Sequence, residues 1–121
     1  MSVFAIGIDV TEISRMKKII ERYGEKFTRR IFTDREIAYC SRQINYASYA
    51  ARFAAKEAVF KATGLGLREK ITWKDVEVIN NELGKPELRL AGETARIFRG
   101  HTLYVSLSHS KEIAIAMVVV E

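Results

Sequence analysis

The chain has 121 residues, 48% hydrophobic and 29% charged, with a net charge of +5 and one cysteine. That length supports a single domain over residues 1–121 with a modest core, and no apolar run approaches the ~20 residues of a membrane-spanning helix. The excess positive charge is local. Residues 14–35 carry eight basic and three acidic side chains, while the rest of the chain has twelve of each, so the patch points to an acidic partner.

The start, Met1-Ser2-Val3-Phe4, lacks the basic and long apolar regions of a signal peptide. Cys40 has no second cysteine to pair with, and a lone thiol suits a reducing cytoplasm. Neither it nor His101 and His109 stands in a metal-ligand spacing, which argues against a zinc site.

In chain order, residues 3–10 form a short apolar run with β-branched members and predict a buried strand. Asp9 falls at its end, where it or Thr11 is placed to cap the next helix. Met16, Ile19, Ile20 and Tyr23 recur at helical spacing, so 13–23 reads as an amphipathic helix closed by Gly24. Its outer face bears Arg15, Lys18 and Arg22. Thr33-Asp34-Arg35-Glu36 is a capping box that opens a second helix toward Cys40.

After a polar break at 41–45, nothing from 46 to 63 interrupts a third helix, rich in alanine and aromatic residues. It is apolar nearly all round, the pattern of a buried helix, and Gly64-Leu65-Gly66 ends it. Residues 76–80 and 87–90 alternate around an 81–86 turn and predict a hairpin. A short helix over 91–98 follows, then strands over 103–108 and 113–120 joined by His109-Ser110-Lys111-Glu112. The order β-α-α-α-β-β-α-β-β makes an α+β domain with the long central helix packed on the sheet.

Three polar sets interrupt these apolar elements: Asp9, then Glu57 with Lys61 on the central helix, then Ser108-His109-Ser110. Taken singly, each has an ordinary explanation: a helix cap, an i,i+4 ion pair and a solvated turn. Taken together they suit a metal-held polyphosphate. Two carboxylates are hard oxygen donors of the kind Mg²⁺ takes before completing its octahedron with water and phosphate. Lys61 would neutralise one phosphate, and His109 and Arg52 another.

Three stretches, in order, resemble the signatures of bacterial holo-(acyl-carrier-protein) synthase, the small class of 4′-phosphopantetheinyl transferase. They are Gly7-Ile8-Asp9-Val10-Thr11-Glu12, then Arg52-Phe53-Ala54-Ala55-Lys56-Glu57-Ala58 with Lys61-Ala62, then Val105-Ser106-Leu107-Ser108-His109-Ser110-Lys111-Glu112. The resemblance spans essentially the whole chain, including Gly84-Lys85-Pro86. It implies transfer of phosphopantetheine from coenzyme A to a serine of apo-acyl-carrier protein, for fatty acid biosynthesis, releasing adenosine 3′,5′-bisphosphate.

By the same resemblance, Asp9 and Glu57 hold Mg²⁺ against the pyrophosphate, and Asp9, Glu57 and Lys61 are catalytic. Glu57 is the candidate acceptor of the serine proton, directly or through a water on the metal. Arg52 and His109 are candidates for the ribose 3′-phosphate and the Gly84-Lys85-Pro86 turn for adenine, with Lys61, Gly64 and Ser110 completing the coenzyme A set. Arg15, Lys18, Arg22 and Lys26 would dock the acidic carrier protein. Family members of this length are homotrimers with sites between subunits. Two other readings are a nucleic-acid-binding module, prompted by the basic helix but lacking interleaved aromatics or a binding motif, and a non-catalytic domain that binds coenzyme A. The expected partners are therefore coenzyme A and the carrier protein, with no nucleic acid and no membrane.

Overall fold

A computed structural model of the chain describes residues 2–64 and 72–121. Strand β1 (Ala5–Glu12) leads into helices α1 (Ile13–Tyr23), α2 (Glu25–Ile31), α3 (Asp34–Cys40) and α4 (Ala47–Ala62). A 3₁₀ turn at Trp73–Asp75 precedes β2 (Val76–Asn80) and β3 (Pro86–Leu90), followed by α5 (Gly92–Ile97), β4 (Leu103–His109) and β5 (Ile113–Val120). The order is the expected one with one helix more. Gly24, at φ +56°, caps the C-terminus of α1 and also stands at the N-cap of α2. A residue expected only to stop one helix thus turns the chain directly into another, seven residues long, that buries Thr28 and Ile31.

The strands form two antiparallel sheets, one ordered β1-β5-β4 and one pairing β2 with β3. Alternation along β1 sends Gly7 and Thr11 to the buried side and Ile6, Ile8 and Val10 outward. On the buried side lies α4. Its Ala54, Ala55, Ala58, Val59 and Phe60 meet Val105, Ala116, Val118 and Val120 of the three-stranded sheet and Val76 and Val78 of β2. Its Tyr49, Ala50 and Ala51 meet a second cluster built on Met16, Ile31, Phe32 and Cys40. Being apolar all round, α4 is shared by both halves of the core.

Contact between α4 and β1 requires small residues on both. A Cβ added to Gly7 would fall 1.9 Å from the carbonyl oxygen of Ala58, a position that no rotamer relieves because the obstacle is backbone. The alanines of α4 serve the same close approach.

The expected capping box is present. Thr33 Oγ1 accepts from Glu36 N, and Glu36 Oε1 accepts from Thr33 N at 2.9 Å. Glu36 does more than cap, because it is buried and lies 2.7 Å from the equally buried Lys56 Nζ. Glu36 Oε2 also accepts from Val78 N at 2.8 Å, while Lys56 donates to Trp73 O and Val76 O. Two opposite charges thus satisfy their hydrogen-bonding capacity inside the core, the condition under which a buried pair is tolerated, and they tie α3, α4 and β2 together. Burial pulls the Lys56 pKa down, with Glu36 opposing.

Candidate active site

The close packing of β1 on α4 sets the geometry of the polar residues. Asp9 pairs in register with Ala116 of β5, which pairs with Leu107 of β4. Pairing continues to Glu12, so Asp9 lies within the strand and not at its end. Neither Asp9 nor Thr11 caps α1: Glu12 holds the N-cap position and makes no side-chain cap bond.

Lys61 approaches Asp9 from α4. Its Nζ lies 2.7 Å from Asp9 Oδ1 and donates to Ile8 O at 3.1 Å. The ammonium therefore serves the neighbouring strand, and a plain Glu57–Lys61 pair along the helix is not what forms. Lys61 is 57% exposed and Asp9 only 11%, so the lysine covers a sheltered carboxylate from the solvent side. The hydrogen bond and charge of Asp9 raise the Lys61 pKa.

Glu57 sits one turn earlier on the same helix. Burial, and then the charge of Asp9, raise its pKa above the ordinary carboxylate value, with Lys61 and Arg15 opposing. Burial is the larger cause of that rise, and the Asp9 contribution places a second negative charge close enough to be felt, a setting that favours an added cation. Their oxygens are hard donors, which fits Mg²⁺. Among the described residues no group of three or more His, Cys, Asp or Glu is placed to hold a metal. A cation between Asp9 and Glu57 would therefore take its remaining ligands from water or phosphate oxygens.

A cleft of about 200 Å³ opens beside Glu57, bounded by Thr11, Arg15, Met16, Phe53 and Glu57. Thr11 Oγ1 is buried there with no hydrogen-bond partner among the described residues. Arg15, Lys18, Arg22 and Lys26 are all exposed, and α2 extends this basic surface with exposed Arg29 and Arg30.

His109 ends β4 on the helix-facing side, in the row Thr11–Ala114–His109. At ~4.8 Å between strands and ~3.4 Å per residue, its Cα lies about 12 Å from that of Asp9. Its exposed ring gives Nδ1–H to Ser110 O at 3.2 Å. Ser110 Oγ accepts from Glu112 N and Ile113 N, so the serine shapes the hairpin. Gly64 follows α4 at φ +76°, while Leu65 and Gly66 of the expected helix stop lie outside the described residues. Lys85 and Pro86 border a cleft of about 380 Å³ shared with Leu103 and Val105 of β4.

Arg52 departs from the expectation of a guanidinium open to phosphate. It is 4% exposed, stacks 4.3 Å from the Tyr39 ring centroid and donates from Nη2 to Asn80 Oδ1 at 2.6 Å. Sequence reasoning assigned no partner to Lys56, and its signal was a cation on a helix buried all round. Cys40 is buried, which raises its thiol pKa to about 12. It is therefore protonated at neutral pH and unsuited to act as a nucleophile.

Comparison with known proteins agrees with this fold. The family described as the 4′-phosphopantetheinyl transferase superfamily matches residues 5–118. A Geobacter metallireducens protein named holo-[acyl-carrier-protein] synthase is 48% identical, the match covering 98% of each chain. The structure of Helicobacter pylori holo-[acyl-carrier-protein] synthase in complex with coenzyme A superposes with a TM-score of 0.87 at 34% identity, covering 96% of this chain and 99% of that one. That of the Bacillus anthracis synthase in complex with CoA (3′,5′-ADP) gives 0.83 at 38% identity, covering 98% and 96%.

Proposed function

The chain belongs to the 4′-phosphopantetheinyl transferase superfamily, and on that premise we propose that it works as a holo-(acyl-carrier-protein) synthase. It moves 4′-phosphopantetheine from coenzyme A to a serine of apo-acyl-carrier protein and releases adenosine 3′,5′-bisphosphate, equipping the carrier for fatty acid biosynthesis in the cytoplasm. The observation that carries this reading is the cluster of Asp9, Lys61 and Glu57 where β1 meets α4.

In this reading Asp9 and Glu57 hold Mg²⁺, which supplies positive charge against the pyrophosphate oxygens of coenzyme A. Lys61 turns its ammonium from Asp9 to a phosphate oxygen, a short movement for a side chain already exposed to solvent. The serine oxygen forms a bond to the phosphorus bearing pantetheine, and the bond from that phosphorus to the bridging oxygen breaks. The new negative charge on the leaving phosphate faces Lys61. Glu57, directly or through an intervening water, accepts the serine proton. His109, Ser110, Gly64 and the Gly84-Lys85-Pro86 turn contribute the remaining coenzyme A contacts.

The carrier docks on Arg15, Lys18, Arg22 and Lys26. Arg15 also borders the cleft beside Glu57, so a carrier on this face presents its serine close to the proton acceptor. We further propose a homotrimer with sites between subunits. Its support is the outer face of the three-stranded sheet, where Ile6, Ile8, Val10, Tyr104 and Met117 stand exposed, an apolar patch of the kind that association covers.

The reading is tested by measuring release of adenosine 3′,5′-bisphosphate from coenzyme A. Release should require both apo-carrier and Mg²⁺ and stop with chelator; release that is indifferent to chelation rejects the metal assignment.

A further inference from the structure

The turn between β2 and β3 is held from inside the protein by hydrogen bonds that begin on α4. Arg52 is buried and stacked on Tyr39, so its guanidinium is a fixed point. Its Nη2 donates to Asn80 Oδ1 at 2.6 Å, and Asn80 Nδ2 donates to Gly84 O at 2.9 Å. The chemistry allows one orientation of the amide only. Arginine has no acceptor, so the Asn80 oxygen faces it and the nitrogen is left for the carbonyl. The first bond is charge-assisted, and its charged donor holds the amide firmly.

The neighbouring Asn81 plays a different part. Its Oδ1 accepts from Leu83 N at 2.9 Å and from Lys85 N at 3.0 Å, bonds that close the turn on itself. Asn81 fixes the shape of the turn, and Asn80 fixes where it stands relative to the helices. Among the described residues, the Arg52–Asn80–Gly84 chain is the only side-chain hydrogen-bond route from α4 to this turn. Lys85 and Pro86, the next residues, form one edge of the 380 Å³ cleft against β4, so the position of the turn sets that edge.

We propose that Asn80 is a positioning residue for coenzyme A: it transmits the fixed position of Arg52 to the Gly84-Lys85-Pro86 turn and so sets the edge that receives the nucleotide end. The proposal rests on the reading of the chain as a coenzyme A-dependent transferase. It gives the interior Arg52 a part in coenzyme A binding as the anchor of the turn. With Gly84 O occupied by Asn80, the turn offers the ligand an ammonium from Lys85 and an apolar ring from Pro86, groups suited to a phosphate and a flat base.

Asn80→Ala and Asn80→Asp separate this role from simple stabilisation. Asp keeps an acceptor for Arg52 but sets an oxygen against Gly84 O, so it preserves the anchor and breaks the link to the turn. Both variants should raise the KM for coenzyme A about fivefold, the factor that corresponds to one net hydrogen bond. Binding of adenosine 3′,5′-bisphosphate, followed by calorimetry, should weaken by a similar factor. The kcat and the KM for carrier protein should stay within about twofold, and Asn80→Asp should keep the wild-type Tm. Wild-type affinity for coenzyme A in Asn80→Asp would overturn the proposal, as would parallel losses of kcat, both KM values and Tm. If the wild-type protein never turns over coenzyme A, the transferase reading fails. The bisphosphate titration still decides the role of Asn80.

Discussion

Replacing Lys61 with Met should move two affinities in opposite directions. In the structure Lys61 Nζ lies 2.7 Å from Asp9 Oδ1, so a cation that takes this oxygen displaces the ammonium. With the lysine 57% exposed, solvent screens the pair, and such contacts contribute about 0.2–1 kcal/mol. Removing that competitor should tighten Mg²⁺ binding by a factor of about 1.4 to 5. Relief of repulsion between ammonium and metal acts in the same direction.

Coenzyme A loses the charged hydrogen bond to phosphate proposed for Lys61, worth about 1.5–3 kcal/mol, so its KM should rise about tenfold or more. Calorimetric titration of Mg²⁺ into wild type and Lys61→Met, beside steady-state kinetics, measures both. The same titration should show Mg²⁺ affinity increasing with pH, because the Glu57 proton competes with the metal and its pKa is raised. The sign follows from linkage. The folded chain holds this proton more tightly than the unfolded chain does, so metal-free stability falls as pH rises from the ordinary 4.5 through the raised value. Weaker Mg²⁺ binding in Lys61→Met, or a coenzyme A KM that does not change, would refute the exchange of partners.

Two further outcomes concern the surfaces. Reversing Lys18 and Arg22 to Glu should raise the KM for carrier protein, more so at low salt than at high salt, and leave the KM for coenzyme A alone; an unchanged carrier KM in a kinetic assay removes the docking face. Ile8→Asp places a charge at the centre of the exposed sheet face. It should shift the mass measured by light scattering from the proposed trimer to monomer and abolish transfer, whereas an active monomer would show that one chain suffices.

Much of the fold was legible because its signals are local. The apolar spacing of α1, the Thr33–Glu36 capping box and the alternation around the 81–86 turn each state one element. The all-round apolar α4 announced its burial. Helix α2 escaped because no capping side chain announces it, unlike the equally short α3, and the glycine before it reads as a stop. The side-chain partners were less legible because they depend on packing. Lys61 is four residues from Glu57 yet bonds to Asp9, fifty-two positions away in sequence, since Gly7 lets β1 lie against α4. In the same way, the chain shows Arg52 as a basic residue but not the Tyr39 ring and Asn80 amide that enclose it.

The most direct measurement is the mass of the carrier protein. Incubating the chain with coenzyme A, Mg²⁺ and an apo-acyl-carrier protein should add one phosphopantetheine to a single serine of the carrier. Glu57→Gln, which removes the proposed metal ligand and proton acceptor together, should leave the carrier at its apo mass. A carrier whose mass never changes with the wild-type chain, or changes equally with Glu57→Gln, would contradict the assignment of this site.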